Sequence, residues 1–295
     1  MFKNKTILIT GGTGSFGQAM TKYLLTKKVK KIIIYSRGEL KQFNMQNEIK
    51  DERIRYFIGD VRDKDRLKRA CRGVDYIIHA AAMKQVPACE YNPFEAIRTN
   101  TGGAVNVIDS AIDCGVKKVV ALSTDKAVNP INLYGATKLC SDKLFQNANA
   151  YSGKNGTKFS IVRYGNVANS RGSVIPYFKE LKAKGIKTLP VTDERMTRFY
   201  ITLDQGIKLV ETAFKKMRGG EIFVAKIPSF RIVDLVKSLE CNYRVVGIRH
   251  GEKLHEIMIT PEDKVTEFKD YYVLSDKGKT GFTYSSDKNK EWLYK

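Results

Sequence analysis

A short apolar run that empties directly into a glycine-rich loop constrains this chain more than any other stretch. Ile7-Leu8-Ile9 is followed by Thr10-Gly11-Gly12-Thr13-Gly14-Ser15-Phe16-Gly17, and residues 16–27 then carry a helical pattern. A strand, a turn and a helix in that order aim a helix N-terminus, with its unpaired N–H groups and positive dipole end, at an anion. Glycines at 11, 14 and 17 allow a tight turn and close approach of backbone to a pyrophosphate. A glycine trio alone is a weak signal. The strand before it and the helix after it make this loop a dinucleotide site, with Thr13, Ser15 and Phe16 as further cofactor-binding candidates.

The same alternation continues. Apolar runs at 32–35, 55–59, 75–79, 119–122 and 159–162 are separated by helical segments at 39–49, 63–71, 93–114 and 135–150. Continuous apolar runs between amphipathic helices indicate an α/β fold whose parallel sheet is covered on both faces. Right-handed crossovers make it a doubly wound, Rossmann-like sheet. After about residue 167 the regularity fades, and Gly172, Pro176, Gly185, Pro190, Gly219-Gly220 and Pro228 punctuate shorter segments. The expected organisation is a nucleotide-binding domain over 1–167, a smaller C-terminal substrate-binding domain mainly over 168–275, and a polar tail over 276–295. That tail is either pinned by Trp292 or frayed.

Composition narrows the partners. The net charge of +21 is spread over short pairs such as Lys27-Lys28, Lys117-Lys118 and Lys215-Lys216. No basic stripe with interleaved aromatics appears, so an anionic cofactor and substrate account for the charge better than nucleic acid. No apolar stretch of about 18 residues exists to span a membrane, and the N-terminus lacks a signal-peptide pattern. Cys71, Cys89, Cys114, Cys140 and Cys241 are odd in number and have no metal-type spacing. They are expected to be reduced thiols of a cytoplasmic protein. His79 and His255 have no ligand partners at fitting spacing, so no metal is expected.

Ligands bind at the carboxyl ends of strands in such sheets, and the remaining candidates fall there. An acidic residue after the second run would hold the ribose hydroxyls of NAD; this chain has Ser36-Arg37, with Lys41 one turn on. A hydroxyl and two cations suit the 2′-phosphate of NADP, and NADP is expected over NAD. Asp60, after the third run, is placed to accept from an adenine amino group. Ala80-Ala81-Ala82, after the fourth, are small enough for a cofactor to lie against the backbone, although tight helix–sheet packing explains them too. Lys84 is within reach of cofactor phosphates or substrate. Ser123-Thr124-Asp125-Lys126 follows the fifth run, and Tyr134 and Lys138 share one face of the next helix. An ammonium there lowers the phenol's pKa and makes it a base.

These strings resemble the extended short-chain dehydrogenases. Residues 123–138, with Tyr35-Ser36-Arg37, Phe57-Ile58-Gly59-Asp60, Arg163-Tyr164-Gly165-Asn166-Val167, Met196-Thr197-Arg198-Phe199 and Arg249-His250-Gly251-Glu252-Lys253-Leu254-His255-Glu256, are similar to the inverting UDP-N-acetylglucosamine 4,6-dehydratases over roughly residues 5 to 293. The Asp125-Lys126 pair is the specific part, because retaining dehydratases usually carry Asp-Glu there. Gln85 and His250 depart from the family's histidine and proline. The resemblance implies a tightly bound NADP regenerated each turnover, with Val61 and Val167 also lining its site. It implies hydride removal from sugar carbon 4 while Tyr134 takes the hydroxyl proton, proton removal from carbon 5 by Lys126, departure of the carbon 6 hydroxyl as water with help from Asp125, and hydride return to carbon 6. Thr124 would orient the 4-hydroxyl. Carbon 5 is reprotonated on the opposite face, which gives a 4-keto-6-deoxy sugar of L-arabino configuration. As a base Lys126 needs a depressed pKa; burial and nearby cations push that way, and Asp125 opposes it. Lys84, Thr124, Asn166, Arg171, Val174, Ile175, Thr192 and Arg249 are the implied substrate contacts, with Arg198 either a ligand or a loop brace. A homo-oligomer, dimer or hexamer, is the family habit. The rivals are a UDP-sugar 4-epimerase or net reductase on the same scaffold, and a non-catalytic nucleotide-binding protein.

Overall fold

The computed structural model describes residues 1–154, 156–168 and 173–294. Its first half alternates strand and helix: β1 (Thr6–Thr10), α1 (Ser15–Leu25), β2 (Lys31–Ser36), α2 (Glu39–Glu48), β3 (Ile54–Ile58), α3 (Lys64–Cys71) and β4 (Tyr76–His79). Two short helices, α4 (Val86–Tyr91) and α5 (Pro93–Ile97), lead through a π-type turn over Arg98–Gly102 into α6 (Gly103–Asp113). Then come β5 (Lys118–Thr124), α7 (Leu133–Ser152) and β6 (Lys158–Tyr164). The apolar runs are strands because they are buried: every residue of β1 and β4 is. Six parallel strands stand in the order β3-β2-β1-β4-β5-β6. The chain reverses direction across the sheet between β1 and β4, which opens a crevice at their carboxyl ends.

The second half is β7 (Asn166–Val167), α8 (Val174–Ala183), β8 (Thr188–Val191), β9 (Thr197–Ile201), α9 (Leu203–Lys216), β10 (Ile222–Ala225), β11 (Ser229–Arg231), α10 (Ile232–Ser238), β12 (Asn242–Val245), β13 (Ile257–Ile259), β14 (Val265–Glu267), β15 (Tyr271–Leu274) and β16 (Tyr284–Ser285). It does not separate from the first half at 167. β10 pairs in parallel with β6, and β15 and β14 follow antiparallel, so the sheet has nine strands. Helix α9 packs against α1. A second, smaller core lies elsewhere and gathers Ile175, Phe178, Leu189, Val191, Met196, Phe230, Ile232, Leu235 and Val236. The sheet thus runs on past residue 167, and segments of the second half serve both cores. The four residues of β10 are buried like a central strand, but a run that short carries no readable period.

Residues 276–294 are not a frayed end. Ser286 and Tyr284 are buried, β16 pairs with β13, and Trp292 bridges to Ser229 while its ring lies under Arg231.

The long helix expected at 93–114 is present but carries the π turn, whose flanking residues keep helical dihedrals. Its extra residue re-aims the helix face. Within it, Asn100 is buried and clasps both backbone groups of Met83, at 2.8 and 2.9 Å. It also donates to Thr137 Oγ1 at 3.0 Å. The loop after β4 is thereby tied to the helix that bears Tyr134.

Candidate active site

The carboxyl ends of the parallel strands open into a cleft of about 1090 Å³. Its walls include Thr13, Gly14, Ser15 and Phe16 of the glycine loop, Arg37, Lys41 and Val61 along one side, and Lys84, Val167, Asn166 and Val174 further along.

The glycine loop fits a dinucleotide. Gly11 has φ +66, and a Cβ there would lie 2.8 Å from the backbone nitrogen of Ala81. The loop therefore rests directly on Ala80-Ala81, which explains the small residues. A Cβ on Gly17 would meet Gly12 O at 2.4 Å, whereas one on Gly14 would meet only Gly11 O, at 3.2 Å. Gly11 and Gly17 hold the turn, and Gly14 leaves its outer side open at the start of α1. That helix has no side-chain cap and no acid in its first turn, so its N–H groups are left for an anion.

At the end of β2, Ser36 Oγ accepts from Thr13 Oγ1 at 3.2 Å and from Gln42 Nε2 at 3.2 Å. Gln42 also donates to the carbonyls of Ser36 and Phe57. With both acceptor positions used, the hydroxyl proton of Ser36 is the free element, and it sits beside Arg37 and Lys41. Gln42 had no sequence signal beyond its place on an amphipathic helix. Asp60 differs from expectation. Both of its oxygens take Arg62, which donates from its backbone at 3.0 Å and from its guanidinium at 2.8 and 2.6 Å. Arg37 stands 3.7 Å away. Burial pushes the carboxyl up, but Arg62 and Arg37 hold it below the usual range. Asp60 is a charged brace, and an adenine amino group would compete with Arg62 for it.

The reactive end is built by β5, the 3₁₀ turn Asp125–Ala127 and the first turn of α7. Asn132 caps α7 by accepting from Gly135 N at 2.8 Å. A Cβ on Gly135 would lie 2.1 Å from Lys126 O, so Gly135 allows the two turns to touch. Thr124 Oγ1 donates to Asp125 Oδ1 at 2.9 Å and hydrogen-bonds the Tyr134 hydroxyl. Lys126 Nζ reaches Asp125 Oδ1 at 3.2 Å and Glu256 Oε1 at 2.8 Å. Thr124, Lys126, Tyr134, Lys138 and Glu256 all border the cleft. Asp125 does not; it is 1% exposed and stands behind Thr124 and Lys126.

The electrostatics correct two expectations. Burial pushes Tyr134 up to about 12, against the pull of Lys126 and the Thr124 bond. The charge that chiefly lowers it is Lys126 rather than Lys138, whose own ammonium is weakened by burial, with Asp142 opposing. Lys126 is not depressed either. Burial pulls it down, but Asp125 and Glu256 together hold its pKa above the usual lysine range. Asp125 is raised, first by burial, with Lys126 opposing and Glu256 adding to the rise. Glu256 is lowered, because Lys126 and Arg198 outweigh burial. The resting site therefore sets a Lys126 ammonium between Asp125, whose carboxyl burial raises, and Glu256, whose carboxyl the neighbouring cations lower. Glu256 ends the Arg249–Glu256 string with no signal of its own; 130 positions separate it from Lys126, and no local pattern links them.

At the substrate end, Asn166, Val174 and Thr192 border the cleft, and Thr192 Oγ1 also touches Met196 Sδ at 3.3 Å. Ile175 does not border it; it belongs to the second core. Arg249 faces the cleft, but its fork is held by Glu252, with both contacts at 3.0 Å. Arg198 is a brace: it is buried and donates to the carbonyls of Thr197 and Leu254 and to Glu252. Arg171 lies outside the described residues. His79 is buried against Thr10 at 2.8 Å and pushed down to about 3 by burial and by Lys138, and His255 holds Thr197 at 2.8 Å. Both histidines are structural.

Residues 7–276 match the polysaccharide biosynthesis protein family. The chain is 56% identical to the inverting UDP-N-acetylglucosamine 4,6-dehydratase of Campylobacter jejuni serotype O:23/36, over 99% of this chain and 95% of that protein. Its fold superposes on the protein Pen from Bacillus thuringiensis with a TM-score of 0.93 and 40% identity, covering 98% and 96% of the two chains. A dTDP-glucose 4,6-dehydratase from Streptomyces venezuelae, solved with NAD bound, matches with a TM-score of 0.76 and 26% identity over 84% and 86% of the chains.

Proposed function

The chain belongs to the polysaccharide biosynthesis protein family, and from that premise we propose that it is an inverting UDP-N-acetylglucosamine 4,6-dehydratase working with NADP. The observation that carries this reading is Lys126 on the cleft wall, backed by Asp125 and linked to Tyr134 through Thr124. Net oxidation or 4-epimerisation requires no base at that position.

The glycine loop and the uncapped start of α1 would hold the pyrophosphate, and Ser36, Arg37 and Lys41 the 2′-phosphate that distinguishes NADP from NAD. When bound, the nicotinamide supplies reversible hydride acceptance. Tyr134 takes the proton of the sugar 4-hydroxyl, with Thr124 and the Lys126 charge favouring the phenolate. A ketone at carbon 4 acidifies carbon 5, and Lys126 takes that proton. Burial raises the pKa of Asp125, which suits it as the acid behind departure of the carbon 6 hydroxyl. It stands off the wall and accepts from Thr124 Oγ1 at 2.9 Å. Asn166, Val174, Thr192 and Lys84 border the space for the sugar nucleotide. Self-association as a dimer or hexamer belongs to the same reading.

Turnover of UDP-N-acetylglucosamine in heavy water, followed by NMR, tests the proposal. The expected product is a 4-keto-6-deoxy sugar of L-arabino configuration carrying deuterium at carbon 5, with no accumulation of NADPH. A product that keeps its 6-hydroxyl, or a wholly protonated carbon 5, overturns it.

A further inference from the structure

In the dehydratase reading Lys126 is the carbon 5 base, yet it rests as an ammonium between two carboxyl groups. An ammonium cannot accept a proton. Asp125 already accepts from Thr124 and Lys126 at its Oδ1, its Oδ2 has no hydrogen-bond partner among the described residues, and it stands 3.2 Å from Lys126 Nζ. Glu256 stands closer. Its Oε1 is 2.8 Å from Lys126 Nζ, its side chain is almost wholly buried, and Oε2 has no hydrogen-bond partner among the described residues. Its position is fixed from behind: its backbone N–H donates to Ser286 Oγ at 2.9 Å, and Ser286 is 2.6 Å from Thr197 Oγ1.

We propose that Glu256 is a positioning residue acting through Lys126, holding the ammonium proton while the freed amine works at carbon 5. The proposal rests on the dehydratase reading. In the first step an N–H bond of Lys126 breaks and an O–H bond of Glu256 forms, turning an ion pair into a neutral pair. That exchange removes two buried charges and runs uphill against the raised Lys126 and lowered Glu256 of the resting site. The amine then takes the carbon 5 proton, and the C–H electron pair passes into the enolate of the carbon 4 ketone. When the carbon 6 hydroxyl leaves with the proton of Asp125, the Lys126 ammonium re-protonates Asp125 and Glu256 returns its proton to Lys126. The three side chains are thereby restored, and once hydride returns to carbon 6 the enolate takes a solvent-derived proton at carbon 5 on the opposite face. The other charges facing the pair are Arg198, whose Nε is 3.9 Å from Glu256 Oε1, Lys253, which is held by Val128 O, and the Tyr134 hydroxyl. Asp125 is the second carboxyl group beside the pair, 3.2 Å from Lys126 Nζ.

The internal transfer predicts how the carbon 5 step responds to pH. In single turnovers of the NADP-loaded enzyme, cofactor reduction reports carbon 4 oxidation, and deuterium exchange reports the carbon 5 step that follows. In the wild type the second phase, timed from the first, should vary less than threefold between pH 6 and 9. Glu256→Gln keeps a hydrogen-bonding atom near Lys126 but cannot take the proton, so Lys126 must lose it to water. The carbon 5 step should then fall at least 100-fold at pH 7 and rise about tenfold per pH unit, while carbon 4 oxidation changes less than threefold. Glu256→Asp should restore a flat profile. Overturning results are a flat profile in Glu256→Gln, equal loss of both phases, or a wild-type step that itself rises tenfold per unit. This last measurement stands even if Glu256→Gln does not fold. Absence of any deuterium at carbon 5 in the wild type would defeat the dehydratase reading instead, so the two failures are distinct.

Discussion

The hydroxyl of Ser36 receives two donors and has one proton to give. With Arg37 57% exposed at its side and Lys41 on the same wall, the end of β2 presents a hydroxyl and two cations to the cleft. Arg37→Asp replaces attraction by repulsion at the 2′-phosphate. A charge-assisted contact is worth about 1.5–3 kcal/mol, so the Kd for NADP should rise roughly 10- to 100-fold and that for NAD should fall. Titration of both cofactors checks it, and unchanged values would remove Arg37 from the site. Ser36, Arg37, Tyr134 and Lys138 were legible because each directly follows a strand or shares one helical face. What the residues do once buried was not legible. The high phenol pKa of Tyr134 comes from burial, and the ammonium of Lys126 depends on Asp125 and on Glu256, which no pattern along the chain connects to it. Gln42, which sets the direction of the Ser36 proton, was hidden among ordinary helix polars.

Elements carry the next constraint. α7 can place Tyr134 beside Lys126 only because Gly135 has no side chain to strike Lys126 O. In Gly135→Ala the obstacle is backbone, so no rotamer relieves it. Overpacking of this kind costs about 1–3 kcal/mol, and displacement of a reacting group by about 1 Å can cost on the order of 100-fold in rate. The expected result is a modest loss in Tm with a kcat lowered by about two orders of magnitude and little change in NADP affinity. Equal loss of cofactor binding would show that the glycine serves the whole sheet rather than the junction. β1 to β6 and the helices between them were readable because their apolar runs are continuous and punctuated. The π turn at 98–102 was not, since one extra residue in a turn leaves the apolar pattern nearly unchanged. β10, β14 and β15 were missed for the opposite reason: three or four residues, however buried, are too few to carry a period.

At the scale of the molecule, the final twenty residues hold the two cores together. Tyr284 exchanges hydrogen bonds with both backbone groups of Ile227, at 3.0 and 2.8 Å, and Asn289 reaches Ile227 O and Ser229 Oγ. Ser286 supports Glu256 from behind. Shortening the chain after Ser275 removes a buried aromatic, for which truncation costs about 3–5 kcal/mol. Thermal unfolding should show Tm lowered by roughly 6–20 °C. A truncated chain that melts like the full one would show that the segment is dispensable.

The interleaving also sets an order in time. All six leading parallel strands, with the glycine loop, Tyr134 and Lys138, have been synthesised by residue 164. The partners of the reactive turn come far later: Asn132 waits for Gly251, Arg163 for Met258 and Lys126 for Glu256. At about 5–20 residues per second, roughly six to twenty-six seconds separate Lys126 from Glu256 on the ribosome. A nascent chain thus owns its nucleotide loop well before it owns its chemistry. Competence arrives as one of the last events of biosynthesis.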